Sequence, residues 1–558
     1  MSNSRISKSA RLIIFLLAGV LLIYTIASTS VYSISSTELG LVSRLPITFW
    51  IGLVLLVCLW GFCLRGPLKY QILALVLTVS YLFVAPAIIR VPVWISESYY
   101  PFGESLLINS QGHMVYRASA PIVSYQYWPL FVYFASAFTL VTAMPPDVIL
   151  KFFPLLTISL YGLLTFLILK VKLKSSFAVF GAAFLLSCFF TRQQYFGPQG
   201  TAYIFFLLII WIVSQLFFDS QTSKGTLAAL YILMFIVTTM THALTSFMAL
   251  LVVVAVYLAY RFLRKGPPAI TSGLLMFSAL FWLSYNMFVA SRFFNLGVET
   301  MTQSLSEIWE LDISRELARI PGSPAQTMSY VTSWSIVFLT GFIAAIQVLF
   351  VLKDVRSRKQ TNGEGFSVFT VVWLVLVVVF GLVAVYGSHE AYQRAFMFGL
   401  IPLTYLCVKL LAKKPWILVL VLGGLLFLNI PALYGSDTYR LATDAVLTGT
   451  KFFVDSTPQN ISCLYGFYPH VRYFDPLKNV EFIFMPGTLP FTYVPSSRAV
   501  QKAVSMAEYI IRSDLQRNYY LYFLRADLLD QVDFSGFDRV YDDQSFCVFM
   551  HANATSLP

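Results

Sequence analysis

Long apolar runs recur along the first 433 residues, separated by short polar loops, and a tail of mixed polarity follows. A bilayer core takes roughly 20 apolar residues in a helix. By that measure the runs predict about thirteen transmembrane helices, at 11–32, 46–64, 70–89, 149–169, 176–190, 200–218, 225–240, 243–263, 269–289, 331–352, 366–386, 395–411 and 415–433. A further apolar stretch, Tyr127–Met144, breaks the pattern. Basic residues gather on the cytoplasmic side of membrane proteins, and here they gather at Arg5/Lys8/Arg11, Arg65/Lys69, Lys170/Lys172/Lys174, Arg261/Arg264/Lys265, Lys353/Arg356/Arg358/Lys359 and Lys409/Lys413/Lys414. These loops fall on one side only if Tyr127–Met144 lies on or dips into the outer face without crossing. The N-terminus is then cytoplasmic and the tail extracytoplasmic.

Three connections are long: 90–148, 290–330 and the tail. The first holds Pro92, Pro101, Pro121 and Pro129 among many aromatics, which predicts short interfacial helices. In the second, Thr302–Ile320 reads as an amphipathic helix ended by Pro321-Gly322. In the tail, Arg498–Arg512 reads as helix, and Tyr519–Phe523 and Ser545–His551 as strands. The expected fold is therefore a polytopic α-helical membrane protein with juxtamembrane helices in the first large outer loop and a small external α/β domain. Its divisions are 1–69, an N-terminal pair of extra helices; 70–433, the transmembrane core; and 434–558, the soluble domain.

Composition agrees. The chain is 58% hydrophobic and 11% charged, with mean hydropathy +0.74, which excludes soluble globular classes. Of its 38 Lys/Arg and 26 Asp/Glu, the tail from Tyr434 holds 10 and 13, so the net charge of +12 resides in the membrane part. That excess reflects topology and contact with anionic membrane lipid, not nucleic-acid binding. The apolar run from Leu12 is too long for a cleavable signal peptide. Cys58, Cys63, Cys188 and Cys407 lie in apolar spans as packing residues. Cys463 and Cys547 share the external tail, where a disulfide is expected. The sequons at Asn460 and Asn553 lie in the same tail.

Ionisable residues are scarce inside the spans and no inverted repeat is visible, which counts against an ion-coupled transporter. Among the few acids before position 290, Glu97 and Glu104 both sit in the first long loop. A carboxylate at a membrane surface can take a proton from an acceptor hydroxyl, or be an ordinary solvated loop residue.

The stretch Trp94–Pro154 resembles the first outer loop of GT-C glycosyltransferases, the group that contains protein O-mannosyltransferases, aminoarabinose transferases and the oligosaccharyltransferase catalytic subunit. Glu97 leads Gly112-His113, and Tyr125-x-x-Trp128-Pro129-Leu130 opens the next helix. Phe196-Gly197-Pro198-Gln199-Gly200, Thr241-His242-Ala243-Leu244-Thr245 and Gly387-Ser388-His389-Glu390-Ala391-Tyr392-Gln393-Arg394 are similar to later segments of prokaryotic, archaeal-type members. The resemblance covers about residues 70–433. It implies transfer of a sugar from a polyprenyl-phosphate donor to a glycan, lipid or protein acceptor on the outer face. Glu97 is then the general base, with Glu104 its alternative, and Arg394 grips the donor phosphate, helped by Arg192 and Arg117. Candidate substrate contacts are His113, Tyr125, Trp128, Gln199, His242, His389 and Glu390; the histidines read equally as structural and the aromatics as an interfacial belt.

The chain departs from the family pattern in two places. Its leading acid is Glu where Asp is usual, and the second outer loop, Arg192–Tyr203, has no acid. Hard divalent cations want several oxygen ligands, so no metal or other cofactor is expected, and the transfer is expected to be inverting and metal-independent. Alternatives are an envelope polysaccharide polymerase or ligase, a lipid or solute transporter, and a non-catalytic member.

Overall fold

The computed structural model describes residues 2–552 apart from 35–37, 65, 115–124, 219–222, 264–265, 267, 296–297, 300–301, 303–323, 358–363, 388–390, 436, 466–469, 484–495 and 525–526. The amphipathic stretch expected at Thr302–Ile320 and the sequon at Asn553 lie outside the described residues.

In chain order the membrane part runs α1 (Ser2–Ser28), α2 (Ile47–Cys63), and α3 (Leu68–Val79), which continues through a π-helical turn (Ser80–Val84) into α4 (Ala85–Ile89). Then come α5 (Tyr99–Gln111), α6 (Pro129–Thr142), α7 (Pro146–Lys170), α8 (Ser175–Cys188), α9 (Pro198–Phe218), α10 (Lys224–Thr241), α11 (Ala243–Phe262) and α12 (Ala269–Phe288). The last four are α13 (Pro324–Arg356), α14 (Glu364–Gly387), α15 (Ala391–Leu411) and α16 (Pro415–Tyr434).

Among the described residues, 11 helices are long and apolar enough to cross a membrane. All thirteen expected spans are helical, but two are short: α2 has 17 residues and α8 has 14. At 1.5 Å per residue α8 reaches only about 21 Å, well under a bilayer core. It is an interior helix, with every side chain from Ala178 to Cys188 buried. Its small residues permit close approach: a Cβ on Gly181 would stand 2.3 Å from Leu169 Cδ1. The chain is thus a multi-pass membrane protein whose bundle encloses a continuous apolar core.

The C-terminal domain is a small α/β unit: α17 (Asp444–Ser456), β1 (Ile461–Leu464), α18 (Val471–Phe474), β2 (Val480–Ile483), α19 (Ser497–Val504), β3 (Tyr509–Ser513), α20 (Asp514–Leu524), β4 (Phe537–Asp542) and β5 (Phe546–His551). The sheet order is β2-β1-β3-β5-β4, with β1 parallel to β2 and β3, and β5 antiparallel to β3 and β4.

Three tail expectations need correction. Helix does not run from Arg498 to Arg512; it stops at Val504, and Tyr509–Ser513 is the central strand β3. Tyr519–Phe523 is helical: Ser513 Oγ caps α20 by accepting from Gln516 N–H, and Tyr519 and Tyr520 enter the domain core. Packing outweighs the β preference of aromatic residues there. The disulfide is absent, since Cys463 and Cys547 are both free. Cys463 is on β1 and Cys547 on β5, with β3 between. Two strand spacings are about 9–10 Å, beyond the roughly 7 Å Cα separation a disulfide tolerates. Ser545–His551 does hold the expected strand, β5.

The stretch Tyr127–Met144 behaves as the charge pattern requires. Its helix α6 starts beside Tyr125, whose ring lies 5.3 Å from Tyr100 on α5. It ends at Ala143, in the left-handed region (φ 50°), before Pro145-Pro146 opens α7. Asp147, in the first turn of α7, accepts a hydrogen bond from Tyr473 of the C-terminal domain. Helix α5 docks on that domain too, through Tyr99 against His470 and Tyr473. Both ends of α6 therefore lie at the face that carries the domain, and the helix does not cross.

Candidate functional site

The site is built where the span Leu68–Ile89 leaves the bundle. Pro86 has no N–H, which frees the carbonyl of Leu82, four residues earlier. The hydroxyl of Tyr434, at the end of α16, donates to it at 2.6 Å. That bond brings the last span against the first loop. Gly40 completes the junction: its φ is +59°, and a Cβ there would lie 2.1 Å from the Tyr434 carbonyl oxygen.

Arg90 follows and is 1% exposed. Its Nη1 donates to Asp437 Oδ2 at 2.8 Å, and Trp94 Nε1 donates to Oδ1 of the same carboxylate at 2.7 Å. The guanidinium also lies over the rings of Trp94 and Tyr434, at 4.6 and 4.7 Å. Burial pushes the Asp437 carboxyl above its ordinary range, with Arg90 and the Trp94 bond pulling the other way.

Glu97 sits on a 3-10 turn, Ser96–Ser98, that opens α5. The turn is fixed to the chain beyond the last span, because Ser96 N–H donates to the Arg440 carbonyl at 2.8 Å. Arg440 Nη1 then stands 3.4 Å from Glu97 Oε1, and both side chains are 13% exposed. Ser96 Oγ approaches the other carboxylate oxygen at 3.5 Å. Glu97 is thus a carboxylate held in place with an edge still open to solvent.

Two turns on, Glu104 pairs with Arg472 of the C-terminal domain. Gly103 makes this docking possible, since a Cβ there would meet Arg472 Cβ at 2.8 Å. His470 is buried against Tyr99, their centroids 5.0 Å apart. Burial lowers its imidazole to about 4, against a smaller opposing effect of the Ser96 backbone. Glu104 is therefore a docking residue, and the alternative-base role does not fit it.

Arg192 does not fit the phosphate role either. It is 5% exposed, with φ 61°. Its Nε donates to the Leu433 carbonyl, and Nη2 donates to the Ala432 carbonyl and Ser329 Oγ. It caps the C-terminal carbonyls of α16, groups that no helical N–H reaches.

Arg394 lies in the first turn of α15, partly buried. It lies close to His242, the residue joining α10 to α11. Burial first, and the Arg394 charge second, lower that imidazole to about 3. His242 Nδ1 accepts from Thr245 N–H and caps α11. The sequence named both residues, and the fold brings them together.

Other candidates are dispersed. His113 is exposed at the end of α5, just after the left-handed Gly112, with its Nδ1 3.0 Å from the Gln111 carbonyl. Trp128 packs on Phe293 at 4.7 Å, and its buried Nε1 has no acceptor among the described residues. Gln199 is buried in the first turn of α9, its Nε2 likewise without a partner among the described residues. Arg117, His389 and Glu390 lie outside the described residues.

Sequence reasoning missed Arg90, Asp437, Arg440 and His470. Each pairs with a residue hundreds of positions away, which leaves no local signal. Among the described residues no group of three or more His, Cys, Asp or Glu could hold a metal ion.

No protein-family model matches the chain, and no curated protein matches it. Solved structures resemble it in outline. The oligosaccharyltransferase of Archaeoglobus fulgidus, solved with Zn and sulfate, is 10% identical over 82% of this chain and 69% of its own, with TM-score 0.46. ArnT from Cupriavidus metallidurans bound to undecaprenyl phosphate is 13% identical over 86% of this chain and 98% of its own, with TM-score 0.36. Its apo state gives 12% identity, 84% and 97% coverage, and TM-score 0.34. Both proteins are GT-C glycosyltransferases.

Proposed function

We propose that the protein is a membrane glycosyltransferase that moves a sugar from a polyprenyl-phosphate-linked donor to an acceptor at the face carrying the C-terminal domain. The observation that carries this reading is Glu97: a partly open carboxylate at the head of a loop helix, steadied by Arg440 and Ser96 at the ends of membrane spans. With α6 not crossing, the basic loops all lie opposite the domain, which makes the domain's face extracytoplasmic.

The acceptor oxygen attacks the anomeric carbon and its proton passes to Glu97. The bond from that carbon to the phosphate oxygen breaks, and the phosphate leaves with the electron pair. Arg394 at the head of α15 meets the charge that develops on the leaving phosphate, where a preorganised cation is most effective. Arg440 acts through Glu97 by fixing its direction and is a positioning residue. Attack opposite the leaving group inverts the anomeric centre, and no step needs a metal.

The test is glycosyl transfer by purified protein in nanodiscs from a panel of polyprenyl-phosphate sugars. Glu97→Gln should lower turnover about 100-fold or more, the usual scale for a lost general base. Arg394→Ala should lower it similarly, whereas Glu104→Gln should retain turnover in protein whose domain stays docked. Full turnover in Glu97→Gln overturns the base assignment. Absence of transfer from every donor, with glycan, lipid and peptide acceptors all supplied, overturns the reading.

A further inference from the structure

Residues 94–97, just beyond the span Leu68–Ile89, lie against residues 437–440, just beyond α16, and three contacts tie the two segments. Trp94 Nε1 donates to Asp437 Oδ1 at 2.7 Å, Ser96 N–H donates to the Arg440 carbonyl at 2.8 Å, and Arg440 Nη1 stands 3.4 Å from Glu97 Oε1. Asp437 is thus at one end of the pairing and Glu97 at the other. The backbone between them has little freedom. Asp437–Tyr439 is a single 3-10 turn, and the Asp437 carbonyl accepts from the N–H groups of Arg440 and Leu441, at 3.0 and 3.2 Å. Arg440 therefore takes its direction from Asp437.

Asp437 is in turn fixed by the first loop. It is fully buried, with Oδ2 held by Arg90 Nη1 at 2.8 Å and Oδ1 held by Trp94. Arg90 cannot swing, because its guanidinium lies over the rings of both Trp94 and Tyr434. Its backbone is pinned as well. Val31, in the loop between α1 and α2, donates its N–H to the Ile89 carbonyl at 2.7 Å and accepts from Val91 N–H at 2.9 Å. A buried ion pair adds little stability over apolar side chains of the same volume. What it does supply is direction, since charge-assisted hydrogen bonds are short and geometrically strict.

We propose that Asp437, oriented by Arg90 and Trp94, is a positioning residue for the transfer step: through the turn 437–440 it aims Arg440 at Glu97 and so holds the base in line. This rests on the reading of Glu97 as the base. Arg440 and Ser96 Oγ reach that carboxylate at 3.4 and 3.5 Å, contacts too long to fix it unless Arg440 is itself held firmly. Firmness matters, because a misplacement of about 1 Å can lower a rate on the order of 100-fold.

Transfer kinetics and amide hydrogen exchange, both on the full chain in nanodiscs, test this together. Arg90→Met with Asp437→Leu removes the two charges as a pair and spares the fold. It should lower kcat about tenfold or more and leave KM within about twofold. Exchange of the Ser96, Arg440 and Leu441 amides should quicken about tenfold, while Ile510 and Ile511 of β3, bonded in the sheet, keep their rates. Trp94→Phe keeps a ring over Arg90 and loses one bond to Asp437, so both effects should appear at about threefold. Arg440→Met should lower kcat without quickening exchange at Leu441, and Arg440→Lys should recover part of the loss. Wild-type kcat in both the paired variant and Trp94→Phe overturns the role. So does a fall in kcat with the three amides unchanged, and so does quickened exchange that spreads to β3, the mark of a purely structural pair. If the wild type transfers no sugar, the functional reading fails by itself. Quickened exchange then still upholds the hold of the pair on the turn, and unchanged exchange overturns it.

Discussion

Arg90 and Asp437 form the most demanding contact in the molecule, a fully buried ion pair. Removing one partner of such a pair strands the other charge and costs about 3–5 kcal/mol, whereas replacing both with apolar side chains is often neutral. Asp437→Asn is therefore expected to melt far below wild type in detergent, and Arg90→Met with Asp437→Leu to recover most of the loss. Equal melting of wild type and Asp437→Asn would refute the assignment. His470 gives a pH prediction of definite sign. Its imidazole is held near 4 in the fold against an ordinary 6.5, so below pH 6.5 the unfolded chain binds a proton that the folded chain refuses. Stability then falls as pH drops from about 6.5 toward 4; His242, held near 3, adds the same sign. His470→Phe keeps the ring against Tyr99 and should visibly flatten the melting-temperature profile between pH 4.5 and 7.5; an unaltered slope would contradict this. At this scale the sequence singled out Glu97 and Arg394 as candidates, because each stands at the head of a loop or span. It concealed their surroundings: read locally, Arg90 is one more interfacial arginine and Asp437 one more tail acid.

Elements were most legible where the apolar period ran long. Every expected span is a helix, since a run of about 20 apolar residues in lipid has no other way to satisfy its backbone. Short elements were decided by contacts outside the local window. Helix α8 reads as a span by composition, yet its 14 residues are enclosed by neighbours. The run Tyr519–Phe523 has strand chemistry and is helical because of a Ser513 cap and a core waiting on one side. Helix α5 shows how an element can serve as a joint. Its residues Tyr99, Phe102, Gly103 and Glu104 all meet the segment His470–Tyr473. Gly103→Val would drive methyl groups into the Arg472 backbone, whose carbonyl carbon lies 2.9 Å from the built Cβ. Neither backbone can yield without moving its helix. Limited proteolysis near residues 436–443 should therefore accelerate several-fold in Gly103→Val, with a parallel fall in melting temperature. An unchanged cleavage rate would mean that the domain docks without this contact.

On the scale of the whole molecule, one feature decides the topology: whether α6 crosses. The charge pattern requires that it does not, and the contacts of Tyr125 and Asp147 return both its ends to the domain's face. The thirteen spans expected from the sequence, an odd number, would then put the N-terminus and the tail on opposite sides. Since the basic loops sit with the N-terminus, the charge pattern predicts a tail that faces outward. Asn460 provides a direct readout. It is exposed in a left-handed turn (φ 59°) ahead of β1, at the head of an Asn-Ile-Ser sequon. Expressed in microsomes, the full chain should gain glycan mass that is reduced by Asn460→Gln and abolished when Asn553→Gln is added. The same material should show six free thiols after denaturation without reductant, since Cys463 and Cys547 are held two strands apart. Absence of glycan in wild type, together with protection of the basic loops from cytosolic protease, would place the domain inside. That outcome would move Glu97 to the cytoplasmic leaflet, where the donor would have to present its phosphate and sugar instead of at the outer face.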